Sequence, residues 1–407
     1  MFGNLCVKCK GGRNLCKLGY CPLLRKVSDM LPKISYRSKD LNGQAPPSIF
    51  IGSYGYPKVF AGPLISPNNR NIGNPENWYG MKMEDIVLKS STLFRPSIIA
   101  DVHRTGNKIL EATQEIAMSI KPVDAEAILS KPYIYNNVYD KVKIDFFMHP
   151  MGPKIEMERL SLTENPSIPR KVDYVVSDTD LSAVEGSYIL YQNDISISHI
   201  QRLISSGLLG VSRYRKMVPT RWAITASDDM ISKMIIKELK NNSVIDKIEL
   251  FYNKYIGNYF YIFLIPRVWS FEVIESWQKG SFYSSVTVGS GDFEDYDGRK
   301  DYAANVTGGY YAARLAVTEY LKKINKQASV IIYREVSSEY SIPLGVWLIR
   351  ETIRDAMKKP YRVYDDIYAA IASITETVKA KEWYKNSKLL NIIKKQCTID
   401  SFLTVTN

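Results

Sequence analysis

KIELFYNKYIGNYFYIFLI, running from Lys247 to Ile265, is the stretch that decides the fold class. Two runs rich in Ile, Phe and Tyr, Lys247–Ile256 and Tyr259–Ile265, stand on either side of Gly257-Asn258. β-branched and aromatic runs joined by two such residues read as a β-hairpin, because the tight turn needs left-handed backbone. The β pattern continues to Ile274. Working outward, Ile195–Ser206 and Asp229–Leu239 have helical periodicity, the second with Ser227 as its cap. Downstream, Tyr302–Ile324 reads as a long helix interrupted early by Gly308-Gly309, Ala328–Val336 as a strand and Leu344–Lys358 as a helix. Upstream, Ser48–Gly52 is a short strand, Met83–Leu93 and Lys108–Ser119 are helices, and Val142–Met148 and Val172–Ser177 are strand-like. Hairpins mix with helices, without βαβ alternation or a repeat period, so the expected fold is α+β.

The chain has 407 residues, 45% hydrophobic and 24% charged, which excludes a disordered or collagenous polypeptide. Its longest apolar run, Tyr259–Pro266, is too short to span a bilayer, and the N-terminus MFGNLCVKCK lacks the apolar region of a secretory signal. A cytoplasmic protein with no membrane partner is expected. The net charge of +12 sits at the two ends. Residues 1–48 hold nine basic and two acidic side chains, and residues 377–407 hold six lysines against Glu382 and Asp400. The stretch between is close to neutral. Basic ends on a neutral body suit a polyanionic partner, nucleic acid first; two solvated faces account for the charge equally well.

Four of the five cysteines, Cys6, Cys9, Cys16 and Cys21, fall in the pattern C-x2-C-x6-C-x4-C. Without an export signal, disulfides are not expected. Four local thiolates with glycines between them suit a closed, structural zinc site with Zn–S distances of about 2.3 Å. An iron–sulfur cluster or redox thiols are the alternatives. Lys8, Lys10, Arg13 and Lys17 are threaded between the cysteines, so such a knuckle would offer a basic surface to phosphates.

The other end carries Gln396-Cys-Thr-Ile399-Asp-Ser-Phe402-Leu403. Gln, an aliphatic residue three later and an aromatic three after that form the peptide pattern by which DNA-processing proteins dock onto the sliding clamp. One 3₁₀ turn puts Ile399, Phe402 and Leu403 on one face as a plug and leaves the Gln396 side chain for a separate pocket. Leu403 departs from the usual second aromatic, which lowers the expected affinity. The expected organisation is a zinc module over 1–31, a linker over 32–47, a large mixed α/β body over 48–375, a basic helix over 376–395 and a flexible tail over 396–407.

Taken together, the cysteine cluster, the loop GSYGYPK from Gly52 to Lys58, Val218-Pro-Thr-Arg-Trp222, Gly308-Gly-Tyr-Tyr-Ala-Ala-Arg314, Pro343-Leu-Gly-Val-Trp347 and the tail resemble the archaeal Nre family along essentially the whole chain. The resemblance implies DNA damage repair in partnership with the sliding clamp, in an archaeal cytoplasm and at the nucleoid. It assigns Cys6, Cys9, Cys16 and Cys21 to the family's zinc finger, and Gln396, Ile399, Phe402 and Leu403 to its clamp-binding peptide.

The body offers weaker signals. Arg213, Arg215, Lys216 and Arg221 interleave with Tyr214 and Trp222, and cations among aromatics grip phosphates and stack on bases. With Tyr56 and Lys58 they are the expected nucleic-acid or nucleotide contacts. Asp228-Asp229 is a carboxylate pair suited to a second divalent metal, or equally to capping a helix. Asp292, Glu294, Asp295 and Asp297 offer enough oxygens for a hard cation, but without EF-hand spacing an acidic solvent loop is the preferred reading. Arg334-Glu335 ends a strand, as site residues often do, but pairing with Glu335, Glu339 or Glu351 would explain Arg334 as well. Alternation puts Asp101 and His103 on one face, where such a pair can do acid–base work. There is no P-loop, no strand–GxGxxG–helix fingerprint, no HExxH and no GxSxG. Two functions follow: a clamp-recruited repair factor whose body hydrolyses nucleic acid or a nucleotide, or a non-catalytic adaptor that ties DNA to the clamp.

Overall fold

The structure is a computed structural model that describes residues 3–10, 14–25, 35–67, 72–133, 145 and 147–395. The chain divides into two compact units, one of residues 18–234 and 342–348, the other of 1–17, 235–341 and 349–407. Each unit is α+β.

The 18–234 unit holds six strands, β1 (Asp40–Ala45), β2 (Ile49–Ile51), β3 (Lys58–Pro63), β4 (Arg95–Asp101), β5 (Val123–Leu129) and β6 (Lys154–Leu162). They form one sheet in the order β1-β5-β6-β4-β3-β2, in which β4 and β6 are the parallel pair. β1 falls in the stretch read as a linker. In β5, Val123, Ala125, Ala127 and Leu129 are buried while Asp124 and Glu126 face solvent, the period of two that one buried face requires. The buried side packs with Leu110, Ile116 and Ala117 of the helix Lys108–Met118, started by Asn107, whose Oδ1 accepts from the Ile109 N–H at 2.8 Å. β3 and β4 approach so closely at Gly62 that a Cβ there would lie 2.1 Å from the Pro96 carbonyl oxygen. The strand expected at Val172–Ser177 is a helix, Arg170–Ser177: Val172 and Val175, three apart, are its buried residues. Of the run Val142–Met148, residues 142–144 and 146 lie outside the described residues.

The second unit carries β7 (Ile248–Tyr255), β8 (Asn258–Ile265), β9 (Ser270–Trp277), β10 (Val288–Glu294), β11 (Ser329–Val336) and β12 (Arg362–Tyr364), in the order β10-β9-β11-β8-β7-β12. The hairpin of β7 and β8 is present, but its turn is Ile256-Gly257, at φ 44° and 65°. Positive φ at both central residues is the type I′ turn that matches strand twist. Asn258 belongs to β8 and is buried. β9 and β11 lie side by side and parallel, every residue of both buried. One face takes the helix Gly308–Lys323, buried from Gly308 through Thr318. Gly308 and Gly309 start this helix instead of interrupting it; a Cβ on Gly309 would meet Ile349 Cδ1 at 2.8 Å. The other face holds Tyr261, Phe263 and Tyr333 against Ile371, Ile374, Trp383 and Leu389, with the Tyr333 and Trp383 rings stacked at 4.3 Å. Over 376–395 there is a 3₁₀ turn, Trp383–Asn386, and a short helix, Lys388–Lys395, in place of one continuous helix.

Candidate nucleic-acid interface

Three segments of the 18–234 unit meet at one surface: the loop 52–58, the turn 101–104 and the loop 212–222. Backbone bonds tie them. The Val102 N–H donates to Pro57 O at 3.0 Å, and the Met217 N–H to Val102 O at 2.9 Å. The Ile51 N–H donates to Thr220 Oγ1 at 2.9 Å. Thr220 opens the helix Thr220–Leu239 directly after Pro219, whose carbonyl accepts from the N–H groups of Trp222 and Ala223. The result is a contact between two rings far apart in sequence, Tyr56 and Trp222, with centroids 5.3 Å apart and planes at 50°. Tyr54 stands 91% exposed beside them, Trp222 47% and Tyr56 38%. Lys58, His103, Arg104, Arg213 and Lys216 are exposed in the same three segments. Arg221 lies over the Phe147 ring at 4.4 Å, with Asp145 Oδ2 at 3.8 Å. Grouped exposed rings mark an interaction surface, and the cations give its charge.

The structure sorts the arginines. Arg215 donates from Nε to Gly210 O at 2.6 Å, from Nη1 to Val176 O at 2.8 Å and from Nη2 to Asp178 O at 2.6 Å. These bonds pin the loop, and burial lowers the pKa of Arg215. Arg213 lies over its neighbour Tyr214 at 4.7 Å, both exposed. β4 ends at Asp101, so His103 lies in the following turn, off the strand face expected for it, and its N–H donates to Asp101 Oδ1 at 3.0 Å. Ser227, Asp228 and Asp229 lie inside the helix Thr220–Leu239, which starts well before the expected cap. Asp228 is buried, and Asp229 Oδ2 accepts from Lys233 Nζ at 2.8 Å. The two carboxylates therefore serve different surroundings. His199, buried in the same unit, is held to a pKa of about 3, first by desolvation and then by the Arg202 charge. Tyr54 lies within the GSYGYPK loop but was not singled out as a contact, and Arg104 had no motif to single it out.

In the second unit, Arg334 pairs with none of Glu335, Glu339 or Glu351. Its Nη1 meets Glu275 Oε1 at 2.5 Å, and its Nε donates to Asn258 Oδ1 at 3.0 Å. Glu275 Oε2 accepts from Lys10 Nζ at 2.8 Å, and the same ammonium donates to Val306 O at 2.9 Å. Lys10, Glu275 and Arg334 are each at most 1% exposed. Burial alone would raise the Glu275 pKa, but the two cations outweigh it and hold the carboxyl low; desolvation lowers that of Lys10 against the pull of Glu275. Glu335 accepts from the backbone N–H groups of Lys379 and Ala380 at 2.9 and 3.0 Å. Asp292 and Glu294 lie in β10, not in a loop. Glu294 Oε2 meets Arg314 Nη1 at 2.7 Å, and Asp292 Oδ2 accepts from the Asn305 and Val306 N–H groups. Asp295 and Asp297 are exposed in the turn beyond.

The family model for archaeal Nre, N-terminal, matches residues 15–284, and that for archaeal Nre, C-terminal, matches residues 294–402. The chain belongs to the archaeal Nre family. Among its relatives, the "DNA repair protein NreA" of Archaeoglobus fulgidus is 38% identical over 406 residues, 99% of each chain. The "DNA repair protein NreB" of the same organism is 36% identical over 392 residues, covering 95% of this chain and 96% of its own. The NreA of Haloferax volcanii is 32% identical over 355 residues, 83% of this chain and 82% of its own. No solved structure matches. The gap between the two Nre segments, residues 285–293, takes in most of β10, inside one sheet, so the segments do not coincide with the two compact units. In this Nre chain Cys6 and Cys9 are three apart on the helix Gly3–Cys9, and Cys16 and Cys21 are, like them, partly exposed. Among the described residues no three of His, Cys, Asp and Glu are gathered to hold a metal ion. Gln396, Ile399, Phe402 and Leu403 lie outside the described residues. Among the described residues no helix is long and apolar enough to cross a membrane.

The buried triad generates an ordered prediction. Glu275→Gln leaves Lys10 and Arg334 as two buried cations without their anion and should lower stability by about 3–5 kcal/mol. Lys10→Met should cost clearly less, because Glu275 and Arg334 still neutralise one another. Urea unfolding of both variants checks the order, and equal losses would show that the three charges are not one network.

Proposed function

We propose that this Nre protein is a cytoplasmic, nucleoid-associated DNA repair factor that holds DNA on the Tyr56–Trp222 surface and is recruited to the sliding clamp by its C-terminal peptide. The relatives' names support the repair role. The observation that carries the DNA-binding part is the Tyr56–Trp222 ring pair, exposed and flanked by Lys58, Lys216 and Arg213. Rings and cations together bind both parts of a nucleic acid, bases and phosphates. The non-catalytic reading is favoured over the hydrolytic one by the engagement of Arg334, Glu335 and Asp229 in contacts that hold the fold. Among the candidate catalytic residues, Asp101 and His103 are the pair that lies at the surface itself. The four cysteines are the soft donor set of a structural zinc ion, and the i, i+3 pair Cys6 and Cys9 on one helix turn supports that reading.

Three measurements test this. Lys58→Glu, Arg213→Glu and Lys216→Glu combined should weaken duplex DNA binding and flatten its log–log salt dependence by about 0.9 for each phosphate that is no longer neutralised; an unchanged slope would place the DNA elsewhere. Ile399→Ala with Phe402→Ala should abolish binding to the sliding clamp and leave thermal unfolding unchanged, since each buried plug residue contributes about 1.5–3 kcal/mol. A double variant that binds the clamp as tightly as the parent would remove the peptide from the account. Metal analysis should find about one zinc per chain, falling to background in Cys6→Ser/Cys9→Ser; full zinc in that variant would overturn the assignment.

A further inference from the structure

The chain has six tryptophans, and their placement is uneven. Trp78, Trp269, Trp277, Trp347 and Trp383 are at most 5% exposed, while Trp222 is 47% exposed. Beside it, Tyr56 contributes one ring face, and Tyr54 projects 91% exposed from the crest of the loop. That crest is shaped by Gly55 at φ 81°, where a Cβ would lie 2.8 Å from the Lys58 carbonyl oxygen, and it is closed by the Lys58 N–H donating to Gly55 O at 3.0 Å. The rings thus project from constrained backbone.

Resting on the DNA-binding reading above, we infer that this surface takes unpaired DNA, with bases stacked on Trp222, Tyr56 and Tyr54 and the strand's phosphates on Lys58, Lys216 and Arg213. Base faces are covered by their neighbours in a duplex, so an exposed ring finds no stacking partner along intact double-stranded DNA. In an unpaired strand every base presents a face, and stacking on an aromatic side chain works for any sequence. Reading a duplex by its major groove calls instead for a protruding helix or ribbon whose polar side chains reach base edges. Here the prominent groups are rings on loops, and beyond Trp222 the next turn of its helix is buried or half-buried from Ala223 to Asp228. Exposed cations on both flanking segments, Lys58 on one and Arg213 and Lys216 on the other, suit a backbone running past the rings. The chemistry is that of a single-strand platform.

The test uses the full-length protein with three probes: a fluorescein-labelled oligothymidylate, a blunt duplex of mixed sequence, and an oligouridylate of matching length. Oligothymidylate should bind more tightly than the duplex, and Trp222→Ala and Tyr56→Ala should each weaken oligothymidylate binding about tenfold or more while changing duplex binding little. Because Trp222 is the exposed indole, unlabelled oligothymidylate should quench part of the tryptophan emission, and Trp222→Phe should remove that quench while retaining most of the affinity. Tyr54→Ala guards against misfolding, since a side chain 91% exposed carries little of the fold; it should weaken single-strand binding with an unchanged circular dichroism spectrum. DNA binding that prefers the duplex and is indifferent to all three ring substitutions would overturn the single-strand inference and leave the DNA-binding reading standing. Binding of neither DNA would overturn both. Tighter binding of oligouridylate than oligothymidylate would overturn the assignment to DNA.

Discussion

Glu275 sits at zero exposure in the middle of β9, and a carboxylate so placed must find its counter-charges inside the protein. β9 and β11 are buried along their whole length, so the charged residues on them all face this demand, and each meets it with a different part of the chain. Glu275 takes Lys10 from the N-terminal segment and Arg334 from β11. Glu335 takes the backbone N–H groups of Lys379 and Ala380. Glu272 takes the Ser387 hydroxyl at 2.5 Å and the N–H groups of Lys388 and Leu389 at 2.8 and 3.1 Å, despite a pKa that burial raises. Three buried carboxylates thereby fasten both termini to the centre of one sheet. The two segments that composition marks as basic are held by acids that composition hides inside a neutral body.

This arrangement ties Lys10, at the end of the helix Gly3–Cys9, to the sheet of the second unit. Val7 is fully buried, and Lys10, only one residue beyond Cys9, reaches the sheet centre from a left-handed backbone at φ 49°. Removing the segment would strip Glu275 of one of its two cations. At the other end, the helix Lys388–Lys395 is started by Glu272 and Ser387, whose Oγ accepts from the Leu390 N–H at 3.0 Å, so the residues leading to the tail leave from a fixed point.

What could be read in advance divides along the range of the interactions. The hairpin of β7 and β8, the helices around 83–91, 108–118 and 197–205, and the strand β11 are encoded by local periodicity and turn chemistry. β5 escaped because two of its four buried residues are alanines, which carry little hydrophobic signal beside Asp124 and Glu126. β10 read as an acidic loop because Gly289 and Gly291 sit among carboxylates whose partners, Arg314 and the 305–306 amides, come from elsewhere. The interface was half legible. Basic and aromatic residues in 213–222 pointed to nucleic acid, but nothing in the sequence distinguishes Arg213, which faces solvent, from Arg215, whose three nitrogens each donate to a backbone carbonyl. No pairwise signal joins Glu275 to Lys10, because the pair is made by the tertiary fold alone.

Leaving large rings in water forgoes about 1.5–3 kcal/mol of burial for each, so a chain that hides five of its six tryptophans has a physical reason to be asked why it shows the sixth. Flexible rings would be poor stacking partners, since binding would have to order them at about 0.5–1.5 kcal/mol per side chain. The loops are instead ordered beforehand. Pro57 O and Val102 O accept across the two segment boundaries, Thr220 Oγ1 accepts from Ile51, and Arg215 fixes the base of the 212–222 loop with three bonds. Tyr56 and Trp222 further limit each other's rotation by contact. The polar interior of the loops therefore holds the apolar exterior in place, and the rings meet a ligand with much of their conformational freedom already removed.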